Sequence, residues 1–393
     1  MQRRNFLRIA GGGTIAAATL GAGGLSACGS NRMPDEAIEA WRGPAHDAGT
    51  SADVRRWLLS YAILAPHSHN LQSWVVDLGT PDEIVLSCDL KRLLPQTDPL
   101  SRQIMMSHGT FLELLDLAAR ERGLRADITL FPQGAFGAYK LDTRPVAHIK
   151  LVPDATLGKD PLFGQILLRR TNRSAYNPAQ PVTPAAWQAM QDAASPHQFR
   201  FGHAGVERAY ALARHRSLAL EAWRIELSTT RTIMESYDLL RVGASEIAAH
   251  RDGLSNLDPM VALLNRFGLF DRSKAPAPDD YATTSQVKDF GQKLDSTHGF
   301  FWMVSQGNDR VTQINAGRAY ARVQLAATAS GLSMQPLSQA LQEYPEQARP
   351  YADIHRLCGA ALPGQTVQMW ARVGYAPAVP PAPRRRLQDF IRA

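Results

Sequence analysis

The sequence predicts an α+β fold in which one structural plan is used twice. Helix, strand, long helix and strand follow one another in residues 46–155, and the same order returns in residues 156–393. The chain has 393 residues, of which 45% are hydrophobic, so it carries enough apolar side chains for a sizeable core. We therefore expect two fused half-domains, called here half 1 (46–155) and half 2 (156–393).

Half 1 alternates between the helical and the extended period. An amphipathic helix is predicted over 52–65 and ends before Pro66, because a proline disfavours helix at the preceding residue. A long helix is predicted over 108–122 and ends at Gly123. The predicted strands of half 1 are 74–78, 83–88, 126–131 and 146–152.

Half 2 repeats this plan. Its predicted helices are 162–168, 184–194, 206–227 and 311–330, and its predicted strands are 199–203, 299–305 and 367–373. Residues 230–285 have no counterpart in half 1. An insertion of this kind is typical of a segment that folds over a site, so we predict a lid there.

Charge and cysteine content exclude several classes of protein. The formal net charge is +7, but the signs are mixed along the chain, so a nucleic-acid-binding face is not predicted. Three cysteines cannot build a disulfide scaffold. We expect Cys88 and Cys358 to be buried free thiols, with a bridge between them as the alternative.

Residues 1–28 have the features of an export signal. Arg3 and Arg4 precede a mild apolar run rich in Gly and Ala, which is too short and too weak to remain as a transmembrane helix. The pattern resembles a Tat signal, with a general secretory signal as the alternative. Residues 25–28 resemble a lipobox, in which Cys28 would carry acyl chains and anchor the protein. A plain cleavage site is the alternative there.

The segment that follows the signal is polar. Residues 29–45 contain Pro34, Gly43 and Pro44, and we predict that they form a tether. The expected location is periplasmic or otherwise extracytoplasmic, with a membrane anchor at Cys28 if that residue is acylated.

A polar turn in half 1 is the sharpest candidate site. It occupies 65–74, between a predicted helix and a predicted strand, and offers backbone N–H groups, a hydroxyl and a carboxamide within a few residues. Such a turn could hold a planar polar ring with imide-like edges, and a plain connecting turn is the alternative. The candidate residues are Pro66, His67, Ser68, Asn70 and Gln72.

An arginine cluster in half 2 has the composition of a phosphate site. Guanidinium groups bind phosphate oxygens in a bidentate manner, and charge-assisted hydrogen bonds are the stronger kind. A solvated basic turn after a helix is the alternative. The candidate residues are Arg169, Arg170, Thr171, Asn172 and Arg173.

Two later segments add polar groups. A predicted helix closed by Gly331 leads into a polar, proline-bent loop that would cover one face of a flat ligand. A Pro-rich tail near the C-terminus would add a second set of phosphate donors. A simple helix C-cap and a solvated basic tail are the respective alternatives. The candidate residues are Met334, Gln335, Pro336, Arg384 and Arg385.

Together these motifs resemble those of the nitroreductase superfamily of FMN-dependent flavoproteins. The turn resembles that family's A-P-S-x-x-N-x-Q-P-W stretch, with His67 in place of the first Ser and Ser73 in place of the second Pro. The arginine cluster resembles its R-R-[ST]-x-R phosphate motif. Residues 299–339 resemble its apolar strand, Ala-rich helix and G-L-S-x-x-P loop, and the end of the chain resembles its V-G-Y…P-x-R-R signature.

The order of the motifs resembles one branch of that family. In the homodimeric members the arginine motif precedes the turn, whereas here it follows the turn. Each half supplies what the other lacks. This resembles the single-chain, duplicated Acg-type branch, in which two fused halves imitate the dimer and bind one FMN.

The resemblance implies one shared FMN pocket. The arginines and Thr171 would hold the phosphate, the turn would meet the isoalloxazine and ribityl chain, and residues 334–336 would line the ring. It implies hydride transfer through FMN from NAD(P)H or another donor to a nitroaromatic, quinone or similar small acceptor, with no catalytic side chain. A non-catalytic protein that sequesters flavin is the alternative.

Two other chemistries are disfavoured. His67 and His69 could ligate a metal with His108 or Cys88, but no carboxylate or thiolate stands at a supporting spacing, so we predict no metal site. A hydrolase is disfavoured because the sequence contains no G-x-S-x-G nucleophile elbow.

Overall fold

The computed structural model describes residues 32–44 and 53–392. The export signal and Cys28 lie outside the described residues, so these expectations remain predictions. No helix in the described ranges is long and apolar enough to cross a bilayer.

The helices, numbered in chain order, are α1 (Asp35–Ile38), α2 (Val54–Ala62), α3 (Arg102–Glu121), α4 (Pro184–Ala194), α5 (Ala209–Ser228), α6 (Thr230–Asp238), α7 (Gly243–His250), α8 (Pro259–Arg266), α9 (Tyr281–Asp295), α10 (Arg310–Ala329) and α11 (Ala348–Leu357).

The strands form two antiparallel sheets, one from each part of the chain. The first sheet has the order β1-β2-β4-β3, the second has the order β5-β8-β10-β9, and β6 and β7 form a small parallel pair. The α+β fold class is therefore confirmed. The strands are β1 (Trp74–Asp77), β2 (Glu83–Cys88), β3 (Leu124–Leu130), β4 (Ala147–Pro153), β5 (Arg200–Ala204), β6 (Leu240–Val242), β7 (Leu254–Asn256), β8 (Phe300–Gln306), β9 (Ser333–Pro336) and β10 (Gln365–Gly374).

Three sequence expectations about local structure were wrong. Helix α3 begins at Arg102 rather than at 108, because the Asp98 carboxylate accepts hydrogen bonds from the N–H groups of Gln103 and Ile104 and so caps an earlier first turn. The helix expected over 162–168 is a 3₁₀ turn at Pro161–Gln165. The loop expected after Gly331 is strand β9, which pairs with β10.

The segment expected to be a tether is structured where it is described. Helix α1 and a 3₁₀ turn at Glu39–Arg42 bring Trp41 into the core. Its indole Nε1 donates to the Ala382 carbonyl at 2.8 Å. Because burying an indole and pairing its N–H fixes the backbone that carries it, this part of 29–45 is an element of the fold.

Cys88 and Cys358 are both free and buried, which confirms the expected thiols. Burial raises the pKa of each thiol, so neither is a thiolate near neutral pH.

A close crossing of α3 and α10 joins the two parts of the molecule. A Cβ atom at Gly109 would lie 1.9 Å from the Ile314 carbonyl oxygen, and one at Gly317 would lie 1.8 Å from the Met106 carbonyl oxygen. Backbones that approach so closely exclude every side chain at these two positions. The crossing therefore depends on both glycines.

Ion pairs extend the contact beside the crossing. The buried Glu113 carboxylate accepts from Arg318 Nε at 2.8 Å and from Arg322 Nη1 at 2.9 Å. Both arginines are on α10 and Glu113 is on α3, so these pairs fix the rotation of one helix against the other. Full pairing satisfies a carboxylate that would otherwise be costly to bury.

Replacing Gly317 with alanine tests the crossing. We expect Gly317→Ala to lower the free energy of unfolding by about 3 kcal/mol or more, since the new methyl group meets backbone rather than a yielding side chain. Denaturant unfolding measures the change. The matched control is Gly291→Ala on α9, where an added Cβ would meet only Leu220 methyl carbons at 3.9 Å. That variant should be neutral or more stable by about 0.5–1 kcal/mol, and equal losses in both would contradict the proposed role of the crossing.

A buried carboxyl on α5 makes stability depend on pH. Glu226 accepts from Gln342 Nε2 at 2.6 Å, and burial raises the pKa of Glu226 from 4.5 to about 7. The folded protein therefore retains a proton that the unfolded chain loses above pH 4.5. The free energy of unfolding should fall by up to about 3 kcal/mol as the pH rises from 4.5 through 7.

Glu226→Gln isolates this contribution, because the amide has nearly the same shape and does not titrate. We expect the variant to lose the decline between pH 4.5 and 7 when denaturant unfolding is measured across that range. If the slope of the variant equals that of the parent, another group is responsible.

Candidate functional site

The polar turn follows α2 and leads into β1, and its backbone is unusual. His69, Asn70 and Gln72 all have positive φ, at 48°, 53° and 55°. Residues with side chains adopt this left-handed region rarely, and side-chain hydrogen bonds are a common reason when they do. The contacts of this turn account for its conformation.

His67 holds the turn together from inside. Its Nε2 accepts from the Ser73 N–H at 3.1 Å, and its Nδ1 donates to the Ser68 carbonyl at 2.8 Å. The ring meets Trp74 edge-on, with the ring centroids 5.1 Å apart. Burial lowers the pKa of His67 to about 3, so the imidazole is neutral near pH 7. These contacts give the His67 imidazole a structural role inside the turn.

Asn70 and Gln72 bind other segments of the chain. Asn70 Oδ1 accepts from Arg384 Nη1 at 2.8 Å, and its Nδ2 donates to the Pro383 carbonyl at 3.1 Å. Gln72 Oε1 accepts from the Arg385 N–H at 2.9 Å, and Nε2 donates to the Arg251 carbonyl at 2.9 Å. The turn therefore binds both the C-terminal tail and residues 230–285, the predicted lid.

The C-terminal tail is built into the fold. The sequence predicts a second set of phosphate donors there, with a solvated basic tail as the alternative. Arg384 is buried, and its Nε and Nη2 donate to the carbonyls of Ile63 and Leu64 at 2.8 and 3.0 Å. Farther along, the Val76 N–H donates to the Phe390 carbonyl at 2.8 Å, which adds the tail to the edge of β1. Carbonyls at the end of α2 have no intrahelical partner, so the guanidinium satisfies them.

The arginine cluster reaches the same helix end. Arg169 is buried, and its Nη2 donates to the Leu64 carbonyl at 2.9 Å while Nη1 donates to Gln324 Oε1 at 3.2 Å. The guanidinium carbons of Arg169 and Arg384 lie 5.3 and 5.0 Å from the Trp41 ring centroid. The structure thus brings the turn, the cluster and the tail together around one indole.

Two members of the cluster bind their own surroundings. Arg170 Nη1 donates to the Leu167 and Arg169 carbonyls at 2.8 and 2.7 Å. Asn172 is buried, and its Nδ2 donates to Ser333 Oγ at 3.1 Å. Neither side chain is aimed at a ligand in this arrangement.

Two other members remain available. Among the described residues, neither the Arg173 guanidinium nor the Thr171 hydroxyl has a hydrogen-bond or ion-pair partner. The Arg173 side chain is exposed to solvent, yet desolvation by the surrounding protein lowers its pKa. A cation that is both accessible and surrounded by protein is typical of a concave site.

The electrostatic effect of Arg173 on His69 links this arginine to the turn. Burial and then the nearby Arg173 lower the pKa of His69 to about 4, so His69 is neutral near pH 7. His69 belongs to the turn of half 1 and Arg173 to the cluster of half 2. The free guanidinium therefore lies beside the turn.

Two buried polar atoms near Arg173 have no partner. They are the Tyr320 hydroxyl on α10 and Nε of Arg169. Burial raises the pKa of Tyr320, and the Arg169 and Arg173 charges act in the opposite direction. A buried polar atom without a partner costs about 1–3 kcal/mol, so an anionic ligand oxygen that binds here would recover that free energy. These residues fit a phosphate monoester.

Sequence reasoning missed Tyr320 and Lys293. Lys293 on α9 is half-buried, and burial followed by the Arg372 and Arg173 charges lowers its pKa. In the sequence, Tyr320 is an aromatic residue with a polar tip between Ala319 and Ala321 in an Ala-rich helix. An aromatic hydroxyl between alanines was the sequence signal that could have identified Tyr320 as a site residue. Lys293 gave no such signal, because only the fold brings the end of α9 to the cluster.

Residues 334–336 lie in an edge strand rather than a covering loop. Met334 is buried, and its carbonyl accepts from the Asn172 N–H at 3.0 Å. Gln335 Oε1 accepts from Arg372 Nε at 2.7 Å. Pro336 pairs with Ala371 across the sheet.

Neither a metal-ligating cluster of described residues nor either of two surface depressions marks this region. Within 32–44 and 53–392, no group of three or more His, Cys, Asp or Glu side chains could hold a metal ion. Two surface depressions of about 410 and 400 Å³ lie elsewhere, and neither is lined by the turn or by the arginine cluster.

Comparison with known proteins supports the resemblance seen in the motifs. No protein-family profile matches the chain. Over 355 residues it is 26% identical to a protein of Mycobacterium tuberculosis strain H37Rv named "Putative NAD(P)H nitroreductase", with 86% of this chain and 91% of that protein covered. The counterpart in strain CDC 1551 matches to the same extent. These matches support a place in the nitroreductase superfamily.

Solved structures give weaker matches. A putative nitroreductase from Anabaena variabilis shares 12% identity, with 86% of this chain and 91% of that chain covered and a TM-score of 0.42. The FMN-dependent nitroreductase NfnB from Mycobacterium smegmatis, solved with NADPH, shares 15% identity, with 58% and 96% covered and a TM-score of 0.37.

Proposed function

We propose that this protein is an exported, FMN-dependent oxidoreductase of the nitroreductase type. The observation that carries the proposal is the unpaired Arg173 guanidinium beside two orphaned buried donors, next to the turn that resembles the family's flavin-binding stretch. The M. tuberculosis relatives carry the name "Putative NAD(P)H nitroreductase", and the match covers 86% of this chain and 91% of theirs. This similarity supports the same assignment.

The chain offers cations and hydrogen-bond donors for the FMN phosphate. Arg173 and Thr171 are free to bind phosphate oxygens, and Tyr320 Oη and Arg169 Nε are oriented without protein partners. Lys293 adds positive charge on the α9 side. Charge-assisted hydrogen bonds to phosphate are the stronger kind, so this set supplies affinity without needing Arg170 or Asn172.

The turn supplies neutral groups for the remainder of the cofactor. His67 and His69 carry no charge near neutral pH, since burial lowers both pKa values. The Ser68 hydroxyl donates to Gln103 Oε1 at 3.1 Å, which fixes that face of the turn. Bound FMN would supply hydride transfer, and the protein would orient it and exclude water. No side chain is assigned a catalytic role.

The lid favours a second candidate function, flavin sequestration without turnover. Arg92 Nη1 contacts Asp252 Oδ2 at 2.5 Å, which fixes the lid against half 1 near the turn. Arg241 Nε, within the lid itself, contacts Asp252 Oδ1 at 3.0 Å and orients that carboxylate. The Gly253 N–H also donates to the Asn70 carbonyl at 3.2 Å. A lid held this firmly would restrict access of donor and acceptor.

Location and reaction partners complete the proposal. Tat export and acylation of Cys28 would place the protein outside the cytoplasm, anchored through lipid. NAD(P)H is the proposed electron donor, and a nitroaromatic, quinone or similar small molecule the proposed acceptor.

Removing the free guanidinium should weaken cofactor binding. We expect Arg173→Ala to raise the dissociation constant for FMN by about tenfold to a hundredfold, from the loss of charged phosphate contacts. Flavin fluorescence titration of the stripped protein measures it. Arg125→Ala on β3, an exposed arginine paired with Asp127, is the matched control and should bind FMN normally. Full flavin retention by Arg173→Ala would refute the phosphate assignment.

Tyr320→Phe distinguishes a role of the hydroxyl in FMN binding from a role in folding. The same FMN titration measures binding, and denaturant unfolding measures stability. The hydroxyl has no protein partner, so its removal should not lower the free energy of unfolding of the stripped protein. FMN binding should weaken by about threefold to tenfold. A loss of stability with unchanged FMN affinity would contradict the role given to Tyr320.

Rapid mixing tests turnover. Anaerobic protein with bound FMN, mixed with NADPH or NADH, should lose its flavin absorbance band and regain it when a quinone is added. Free FMN at the same concentration is the control for uncatalysed reaction. An unchanged spectrum with both donors would contradict the oxidoreductase and favour sequestration.

A further inference from the structure

The lid carries an apolar helix face that faces solvent. Met260 and Leu263 on α8, with Phe267 at its end, are 45%, 48% and 67% exposed and recur at helical spacing. Leu269 continues the patch at 46% exposure. Exposed apolar side chains are ordinary when scattered, but a contiguous row on one face marks a contact surface.

The opposite face of α8 is fixed to the lid, so the apolar row cannot turn inward. Ala262 packs beside Gly243, and Asn265 Nδ2 donates to Glu246 Oε1 at 3.0 Å. Arg272 Nη2 holds the same carboxylate at 2.9 Å. Val261 and Leu264 are half-buried as well, so α8 carries apolar side chains on both faces, whereas a surface helix that packs on a core has them only on the packed face.

The N-terminal end of the described chain lies on the same part of the molecule. Helix α1 packs against α7. Helix α8 contacts the start of α7, where Ala262 lies beside Gly243. Cys28 precedes α1 by seven residues. Such a stretch spans at most about 25 Å. Acyl chains on Cys28 would therefore keep the lid close to the bilayer that holds them.

We propose that the apolar face of α8 docks on the phospholipid bilayer in which the Cys28 anchor lies. One charge beside the face suits this occupant, because Arg266 is exposed with no ion-pair partner among the described residues, whereas the exposed Lys274 farther along the chain is paired with Asp271 at 3.7 Å. Apolar residues flanked by basic ones are typical of helices that lie in a membrane interface. The proposal rests on the proposed lipid attachment.

Acyl chains on Cys28 would hold the protein at the bilayer, and the α8 face would add a second contact there. It would also fix the orientation, because the lid is bound to the turn through the Arg251 carbonyl and the Gly253 N–H. The candidate flavin site would then be presented at a constant angle to the membrane surface.

A polarity-sensitive thiol label tests the docking. The acylated full-length protein with Phe267→Cys is labelled and bound to vesicles of phosphatidylethanolamine and phosphatidylglycerol. Cys88 and Cys358 are buried and should not react. The matched control is Tyr210→Cys on α5, an exposed aromatic position outside the lid. We expect a blue-shifted emission and quenching by brominated lipid at 267, and neither at 210.

Three results would overturn the docking proposal. One is a label at 267 as accessible to aqueous iodide as the label at 210, and another is a protein that does not associate with the vesicles. The third is shielding at 267 without lipid together with a doubled mass in light scattering, which would assign the face to a second copy. Flavin absorbance of the same samples reports separately on the proposed oxidoreductase, so the two proposals fail independently.

Discussion

The backbone contact between α3 and α10 is the constraint on which the site depends. Gly109 and Gly317 let the two helices meet at their main chains, and the ion pairs of Glu113 fix their rotation. Helix α3 supports the polar turn from half 1, and α10 carries Tyr320 and meets Arg169 through Gln324. A shift of one helix along the other would separate groups that only their packing brings together.

Most of the positive charge near the site performs a structural task. Arg169 and Arg384 bind carbonyl oxygens at the end of α2, and Arg170 binds carbonyls of its own turn. All three guanidinium groups lie near the Trp41 ring. Desolvation lowers the pKa of Arg169 to about 10, which still leaves it charged at neutral pH. The free cation, Arg173, differs from its neighbours in having no carbonyl to bind.

The sequence was sufficient for elements whose pattern is local. Strand β8 and helix α10 fall within a residue of their predicted bounds, because an apolar run and a Gly stop are read directly from the chain. The start of α3 was misplaced because its cap, Asp98, lies outside the helix it serves. The partners of Asn70 and Gln72 could not be predicted, since they lie more than a hundred residues away in the lid and the tail.

The C-terminal tail has a consequence for the order of assembly. Arg384 binds carbonyl and amide oxygens that lie more than three hundred residues before it in the chain, and Phe390 pairs with Val76. The turn therefore reaches its final contacts only after residue 390 has left the ribosome. Loading of a cofactor that touches this region would follow that step rather than accompany the synthesis of half 1.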